Sequence, residues 1–215
     1  MSHESLPGIP WFVGAYAALP GGAWDRDTEQ RLLEEFSSVK EFTGWEAPFG
    51  GALHPYDEDW YLRQLGAGIE LMVTLIPRVV GALRFDPAFG LASEDEDGRR
   101  RAVALVAEAL AAAHRAEQLR GRRVVRAIEL HSSPRGISSA DCFRNSLREI
   151  ASWEWGGAHL LIEHCDAAIP DQQPSRDSYL LRKNSKRSLR WANSRPPRSA
   201  ASSTGVGPPS KDGTL

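Results

Sequence analysis

Short apolar segments recur along the chain at intervals that leave room for a helix between each pair. Most of them are apolar throughout instead of alternating with polar residues, which is typical of strands buried on both faces of a parallel sheet. A regular strand–helix alternation predicts right-handed βαβ units and an α/β fold. The predicted strands are Trp11–Ala17, Phe42–Glu46, Leu71–Ile76, Val124–Leu130 and His159–His164.

Four helical patterns lie between these segments. Apolar residues repeat at helical spacing, as Phe143, Leu147 and Ile150 do in the last pattern. Asp and Ser residues at the beginnings of the patterns can cap the first turn, and a glycine can end a helix. The predicted helices follow Asp27, span Asp57–Leu65, span Gly98–Leu119 up to Gly121, and follow Ser138 or Ser139.

Two parallel architectures compete, an open doubly wound sheet and a closed (β/α)8 barrel. No glycine-rich phosphate loop follows any predicted strand, which disfavours nucleotide-binding open sheets and predicts no nucleotide cofactor. Polar residues instead follow the carboxyl ends of several strands, where barrels assemble their active sites. These residues are Glu46, Thr74, Glu129 with His131, and Glu163 with His164 and Asp166. Because a whole barrel takes roughly 250 residues and eight strands, the sequence predicts an incomplete (β/α)8 TIM barrel of about five βα units.

The C-terminal segment differs in composition from the rest of the chain. From Asp171 onward, nine Lys and Arg residues stand against three Asp and Glu residues, and Ser and Pro are frequent. Such a segment buries too little apolar surface to offset the entropy lost on ordering it. We therefore predict an N-terminal extension at residues 1–10, a partial barrel at 11–195 and a disordered, non-native tail at 196–215.

The overall composition disfavours several classes of protein. A formal net charge of -2 gives no reason to expect nucleic acid or an anionic membrane as a partner. Two cysteines, Cys142 and Cys165, without CxxC spacing predict neither a disulfide framework nor a structural zinc site. The N-terminus lacks a signal-peptide pattern, and no stretch approaches the ~18 apolar residues of a membrane span. These features predict a cytoplasmic protein and leave its oligomeric state open.

Five short motifs distributed over the chain point to one family. They are Gly44–Phe49, Leu53–Pro55, Phe89–Ser93, Glu129–Ser132 and Ile162–Ala167. Together these motifs resemble the domain-of-unknown-function family 4862, an uncharacterised group similar to the xylose-isomerase-like barrels. The resemblance covers about residues 11–195.

The resemblance implies a metal-assisted sugar isomerase, epimerase or lyase-like enzyme acting on a sugar or sugar phosphate. Carboxylates and imidazoles at a barrel mouth suit a divalent ion such as Mg, Mn or Zn, and Glu163 matches the position of a metal-binding glutamate in the similar barrels. Such ions polarise a carbonyl or hydroxyl while a carboxylate or histidine moves the proton. We expect metal ligands at Glu163, Asp166 and His131, and catalytic residues at Glu46, Glu129, His131 and His164.

Structural roles and other functions compete with these assignments. Glu129 and His131 can form a hydrogen-bonded pair on one strand face, and Glu46 can form an ion pair. His164 or Asp166 can cap the following helix. A metal-dependent phosphodiesterase or nuclease needs a basic groove, which the acidic balance of residues 1–170 opposes. A non-catalytic sugar-binding module would use some of the seven tryptophans for stacking and would bind no metal ion.

The tail contains the pattern of a shifted reading frame. In the family that the chain resembles, a segment like Leu189–Ser194 leads into a sixth strand ending in a motif similar to Asn-Trp-Gly-Arg-Ser-Ala-Ile-Glu-Gly-Arg. When Ser202–Leu215 is back-translated and reread from each third base, the degenerate codons permit that motif without a break. We therefore predict a frameshift near Pro196, in the gene or in its sequencing, which the DNA sequence tests. The chain as written is then expected to be poorly soluble and without turnover.

Overall fold

The computed structural model describes residues 10–14, 23–134 and 136–163 of the chain. Five strands lie within these ranges: β1 Trp11–Gly14, β2 Phe42–Pro48, β3 Glu70–Thr74, β4 Val125–Leu130 and β5 His159–Ile162. They form a sheet in which every neighbouring pair is parallel and the spatial order follows the chain. Within the described residues the sheet does not close between its edge strands β1 and β5.

Helices connect the strands of this sheet. In the described part of the chain they are α1 Arg26–Ser37, α2 Glu58–Gln64, α3 Ile76–Leu83, α4 Glu96–Arg120 and α5 Ala140–Ala151. Parallel neighbours joined through helices are consecutive βα units, which confirms the predicted α/β class. The arrangement is consistent with part of a (β/α)8 barrel.

The helices cover one face of the sheet. Trp45 is 1% exposed, and its ring centroid lies 4.7 Å from that of Phe36 in α1. Val73 and Ile128 are paired across β3 and β4, are fully buried, and belong to the same apolar core as residues of α4. Each side chain buried in this way contributes about 1.5–3 kcal/mol, so this face holds the helices on the sheet.

The start of α1 differs from the prediction. Asp25, not Asp27, is the N-cap, because its backbone is extended (φ -131°) and its carboxylate accepts a hydrogen bond from the Thr28 N–H at 2.9 Å. Asp27 lies in the first helical turn, where a negative charge is favoured by the helix dipole. The prediction was wrong by two residues because both aspartates fit the acidic pattern of a helix start.

The predicted third strand, Leu71–Ile76, extends too far. The strand β3 ends at Thr74, and Ile76 begins α3, which was not predicted. Pro77 lies in the first turn of α3, where the missing backbone N–H costs nothing. The sequence is apolar on both sides of this boundary, so hydrophobicity alone does not separate the strand from the helix.

The two longer predicted helices are confirmed with small changes at their ends. The helix α4 is 25 residues long and is followed by Gly121, whose φ of 63° allows the left-handed turn that ends it. Ser139 caps α5 by accepting a hydrogen bond from the Cys142 N–H at 3.1 Å. No helix in the described part of the chain combines the length and the apolar character needed to cross a membrane.

The ends of two further strands differ from their predicted limits. The strand β2 continues to Pro48, so Glu46 lies within the strand and not at its end. The strand β5 ends at Ile162. Residues 15–17 and His164, which were predicted as strand, lie outside the described residues, as do residues 1–9 of the predicted N-terminal extension 1–10 and the predicted tail 196–215.

Candidate active site

The sheet face opposite the helices carries acidic side chains towards the carboxyl ends of its strands. Side chains alternate between the two faces along a strand, and directly paired residues of neighbouring strands share a face. Glu46 is paired with Met72. Two residues further along β3, Thr74 is paired with Glu129. Glu46 and Glu129 therefore lie on the same face, away from the helices.

Glu163 joins these two glutamates. Its backbone N–H donates to the carbonyl oxygen of Leu130 at 2.9 Å, which continues the pairing of β4 and β5 beyond the last strand residue. Leu161 is paired with Glu129 and lies two residues before Glu163, so Glu163 shares their face. The structure thus brings three of the predicted site residues together on one face.

The surroundings of Glu129 favour its protonated form. Burial, followed by the negative charges of Glu163 and Glu46, raises the pKa of Glu129 to about 7. Burial also raises the pKa of Glu46. A carboxyl group whose pKa lies near neutrality can both take up and release a proton at physiological pH, as general acid–base catalysis requires.

His131 follows the last residue of β4 and is 3% exposed. Its Nδ1 lies 2.9 Å from Oγ of Ser133 and accepts a hydrogen bond from the Ser133 backbone N–H at 3.3 Å. In a neutral ring the proton is therefore on Nε2. Through these contacts the imidazole stabilises the loop that follows β4. The predicted roles of His131 in catalysis and metal binding stay predictions.

The loop of residues 131–134 rests on a second loop, residues 89–93. The Ala92 N–H donates to the carbonyl oxygens of Ser132 at 2.7 Å and of Ser133 at 3.0 Å. Gly90 approaches so closely that a Cβ atom on it would lie 2.2 Å from the Ser133 carbonyl. Two of the motifs that carry the family resemblance are therefore neighbours in space, and one of them contains Glu129.

The predicted metal ligands are not all among the described residues. Asp166 and the predicted catalytic residue His164 lie outside them. Within residues 10–14, 23–134 and 136–163, no three His, Cys, Asp or Glu side chains are placed to hold a metal ion. The metal site that Asp166 was predicted to complete therefore stays a prediction.

A buried pair of titratable side chains, not predicted from the sequence, lies between α1 and the loop after β2. Glu29 and His54 are 3% and 6% exposed, and His54 Nε2 lies 3.0 Å from Glu29 Oε2. Trp24 Nε1–H donates to the same oxygen at 2.6 Å. The His54 Nδ1 accepts the Asp57 backbone N–H at 2.8 Å, so a neutral ring donates from Nε2 to Glu29. This pair, the Glu29–His54 pair, fixes the loop against the helix.

Replacing Glu29 by Gln is expected to lower the free energy of unfolding by about 1–2 kcal/mol at pH 7, because hydrogen bonds to a charged acceptor are lost. Burial acts to raise the pKa of Glu29, but hydrogen bonds from His54 and Trp24 outweigh it and lower the pKa. A carboxyl of this kind stabilises the fold above its unfolded-state pKa and loses that effect as the pH falls through the folded-state pKa.

Urea unfolding of the wild type and Glu29→Gln between about pH 3 and pH 7 measures this effect. The difference between the two should begin to shrink as the pH falls below the unfolded-state pKa of about 4.3, and it should be lost as the pH falls through the lower folded-state pKa. Glu35→Gln, on an exposed position of the same helix, is the control. Equal losses of stability in the two variants would show that the buried Glu29–His54 pair contributes no more to stability than an exposed glutamate does.

The fold and the site define a parallel α/β protein with a group of carboxylates at the carboxyl ends of its strands. The chain belongs to the family described as a domain of unknown function, DUF4862, whose model matches residues 12–186. This match confirms the family resemblance of the sequence motifs.

One relative is an uncharacterised protein of Salmonella typhimurium, strain LT2. It is 29% identical to the chain over 163 residues, which cover 73% of this chain and 52% of the relative. The chain therefore spans about half the length of the relative that it matches. No solved structure matches the chain significantly.

Proposed function

We propose that the chain belongs to a cytoplasmic enzyme that isomerises or epimerises a sugar or sugar phosphate by removing a proton from one carbon atom and returning it to the neighbouring carbon, or to the same carbon with inverted configuration. The observation that carries this proposal is the convergence of Glu46, Glu129 and Glu163 on the sheet face opposite the described helices. Carboxylates collected from several parallel strands at their carboxyl ends are typical of active sites in (β/α)8 barrels.

Glu129 is the proton carrier in this proposal. As a carboxylate it removes the proton from the carbon next to a sugar carbonyl, and the electron pair forms a C=C bond while the carbonyl oxygen takes the negative charge, which gives an enediolate; for isomerisation the proton of the adjacent hydroxyl then moves to that oxygen. The protonated Glu129 then returns the proton to the neighbouring carbon, so no oxidant or reductant is needed. Burial and the charges of Glu163 and Glu46 hold the pKa of Glu129 at about 7, where both halves of this cycle proceed.

A divalent ion, Mg, Mn or Zn, is a further part of the proposal. The carboxylate oxygen of Glu163 is the type of ligand that Mg and Mn prefer. The described residues alone do not complete a ligand set. Asp166, outside them, is the predicted second ligand. A bound ion would polarise the carbonyl of the sugar and so make the neighbouring proton more acidic.

Deuterium incorporation from heavy water tests the proposal directly. The sample is a frame-restored protein, in which the shifted reading frame is read from near Pro196, together with the longer Salmonella relative. Each is incubated with aldoses, ketoses and their phosphates, and proton NMR follows the exchange of carbon-bound hydrogen. We expect exchange with at least one sugar, and removal of metal by a chelator should slow it at least about 100-fold. No exchange in either protein with any sugar would contradict the proposal.

A further inference from the structure

Two aromatic rings are stacked at the end of the sheet where the glutamates lie. Trp24 immediately precedes the cap of α1, and Tyr56 immediately precedes the cap of α2, so both belong to segments that follow strand carboxyl ends. Their ring centroids are 5.0 Å apart with an angle of 13° between the planes. Trp60 meets Trp24 edge-on at 5.9 Å. We call Trp24, Tyr56 and Trp60 the aromatic platform.

The platform exposes the ring of Tyr56 to solvent, although the Glu29–His54 pair next to it is buried. Tyr56 is 64% exposed, whereas most large apolar side chains near it are covered. The Trp24 indole N–H is bonded to buried Glu29, and the Tyr56 backbone N–H donates to His54 Nδ1 at 3.3 Å. The Trp24 ring and the Tyr56 backbone are therefore both hydrogen-bonded to the Glu29–His54 pair. An exposed aromatic ring whose orientation is fixed in advance loses little entropy when a ligand stacks on it.

A charged pair lies beside the platform. Arg26 and Asp57 form an ion pair at 2.5 Å, with side chains 49% and 32% exposed. The Arg26 guanidinium lies 5.1 Å from the ring centroid of Trp60 and 5.7 Å from that of Trp24. The pair thus offers hydrogen-bond donors and acceptors next to a flat apolar surface. Because the two charges compensate each other, they favour a neutral polar ligand over an anionic one.

We propose that the aromatic platform is a binding subsite for neutral pyranose sugars. A pyranose has an apolar face of C–H groups and a rim of hydroxyls, which match the exposed ring of Tyr56 and the polar groups of Arg26 and Asp57 respectively. A protein partner fits the platform poorly, because stable interfaces bury about 800 Å² on each side and two rings supply far less. The choice of a sugar as the ligand rests on the proposed function. The subsite would hold a second sugar ring, next to the ring that reacts.

The test is direct binding to the frame-restored protein. Ligand-observed NMR and titration with D-xylose, D-glucose, methyl β-D-glucopyranoside and cellobiose give dissociation constants for the wild type and variants. Tyr56→Ala is expected to weaken binding at least about tenfold, because it removes the stacking surface. Tyr56→Phe should bind within about twofold of the wild type, since the ring is kept. Phe85→Ala, which removes a 92% exposed aromatic ring elsewhere, should change nothing.

Glu129→Gln separates this inference from the proposed function. We expect it to bind the pyranosides as the wild type does, because it leaves the platform intact, while it removes proton exchange. Equal affinity of Tyr56→Ala and the wild type would overturn the subsite, and so would the absence of pyranoside binding to the wild type. Stronger binding of an aromatic probe such as adenosine than of any sugar would also overturn it. The proposed function is tested separately, by the deuterium-exchange experiment described above.

Discussion

Replacing Glu129 by Gln is expected to reduce kcat for sugar isomerisation at least about 100-fold and to change KM little. Glutamine keeps the shape of the side chain but cannot carry a proton at neutral pH. Steady-state kinetics of the frame-restored protein, with the sugar found by deuterium exchange, measures the effect. Glu41→Gln, at an exposed position before the amino end of β2, is the matched control. Wild-type turnover in Glu129→Gln would exclude Glu129 as the proton carrier.

The same substitution has a consequence for stability that needs no substrate. Because burial, Glu163 and Glu46 raise the pKa of Glu129 to about 7, the folded state holds this proton more tightly than the unfolded state. The stabilisation is present below the unfolded-state pKa, near 4.3, and is lost as the pH rises through about 7. Glu129→Gln should therefore flatten the fall in unfolding free energy between about pH 4 and pH 7. An unchanged slope would mean that Glu129 has no raised pKa.

Replacing Gly90 by Ala is expected to lower the free energy of unfolding by about 3 kcal/mol or more. The new Cβ would lie 2.2 Å from the backbone carbonyl of Ser133, and backbone cannot move aside as a flexible side chain can. One of the two loops must shift, which breaks the bonds from Ala92 to Ser132 and Ser133. Urea unfolding at neutral pH measures the loss.

Gly50→Ala is the matched control for Gly90→Ala. A Cβ at Gly50 meets nothing within 4 Å, and neither glycine has a positive φ, so backbone strain does not distinguish the two substitutions. We expect Gly50→Ala to remain within about 0.5 kcal/mol of the wild type. If the two alanine variants were equally stable, the contact between the two loops would not constrain the fold.

The strand order and most helices could be predicted because they depend on local patterns. Continuous apolar runs identified the parallel strands, and helical spacing in α5 identified its buried side. The helix α3 was missed because the apolar run of β3 continues into it, and Pro77 was the local signal of a helix start. Closure of the sheet into a barrel depends on contacts among distant segments, which such patterns do not encode.

The candidate site could be predicted in part for a related reason. Glu46, Glu129 and Glu163 lie near the ends of strands, and parallel strands bring such residues to one edge of the sheet. The Glu29–His54 pair was not predicted, because a hydrogen bond between side chains 25 residues apart depends on how a loop packs on a helix. The sequence around Glu29 shows only the acidic start of a helix.

On the sheet face opposite the described helices the three glutamates are only half-buried, and this has a consequence for proton affinity. Any molecule or further segment that lies over this face displaces solvent from Glu129, and loss of solvent disfavours a carboxylate. Ligand occupancy and protonation of Glu129 are therefore linked: each must strengthen the other by the same factor. A neutral ligand should bind more tightly at mildly acidic pH than at alkaline pH, with a proton taken up as it enters.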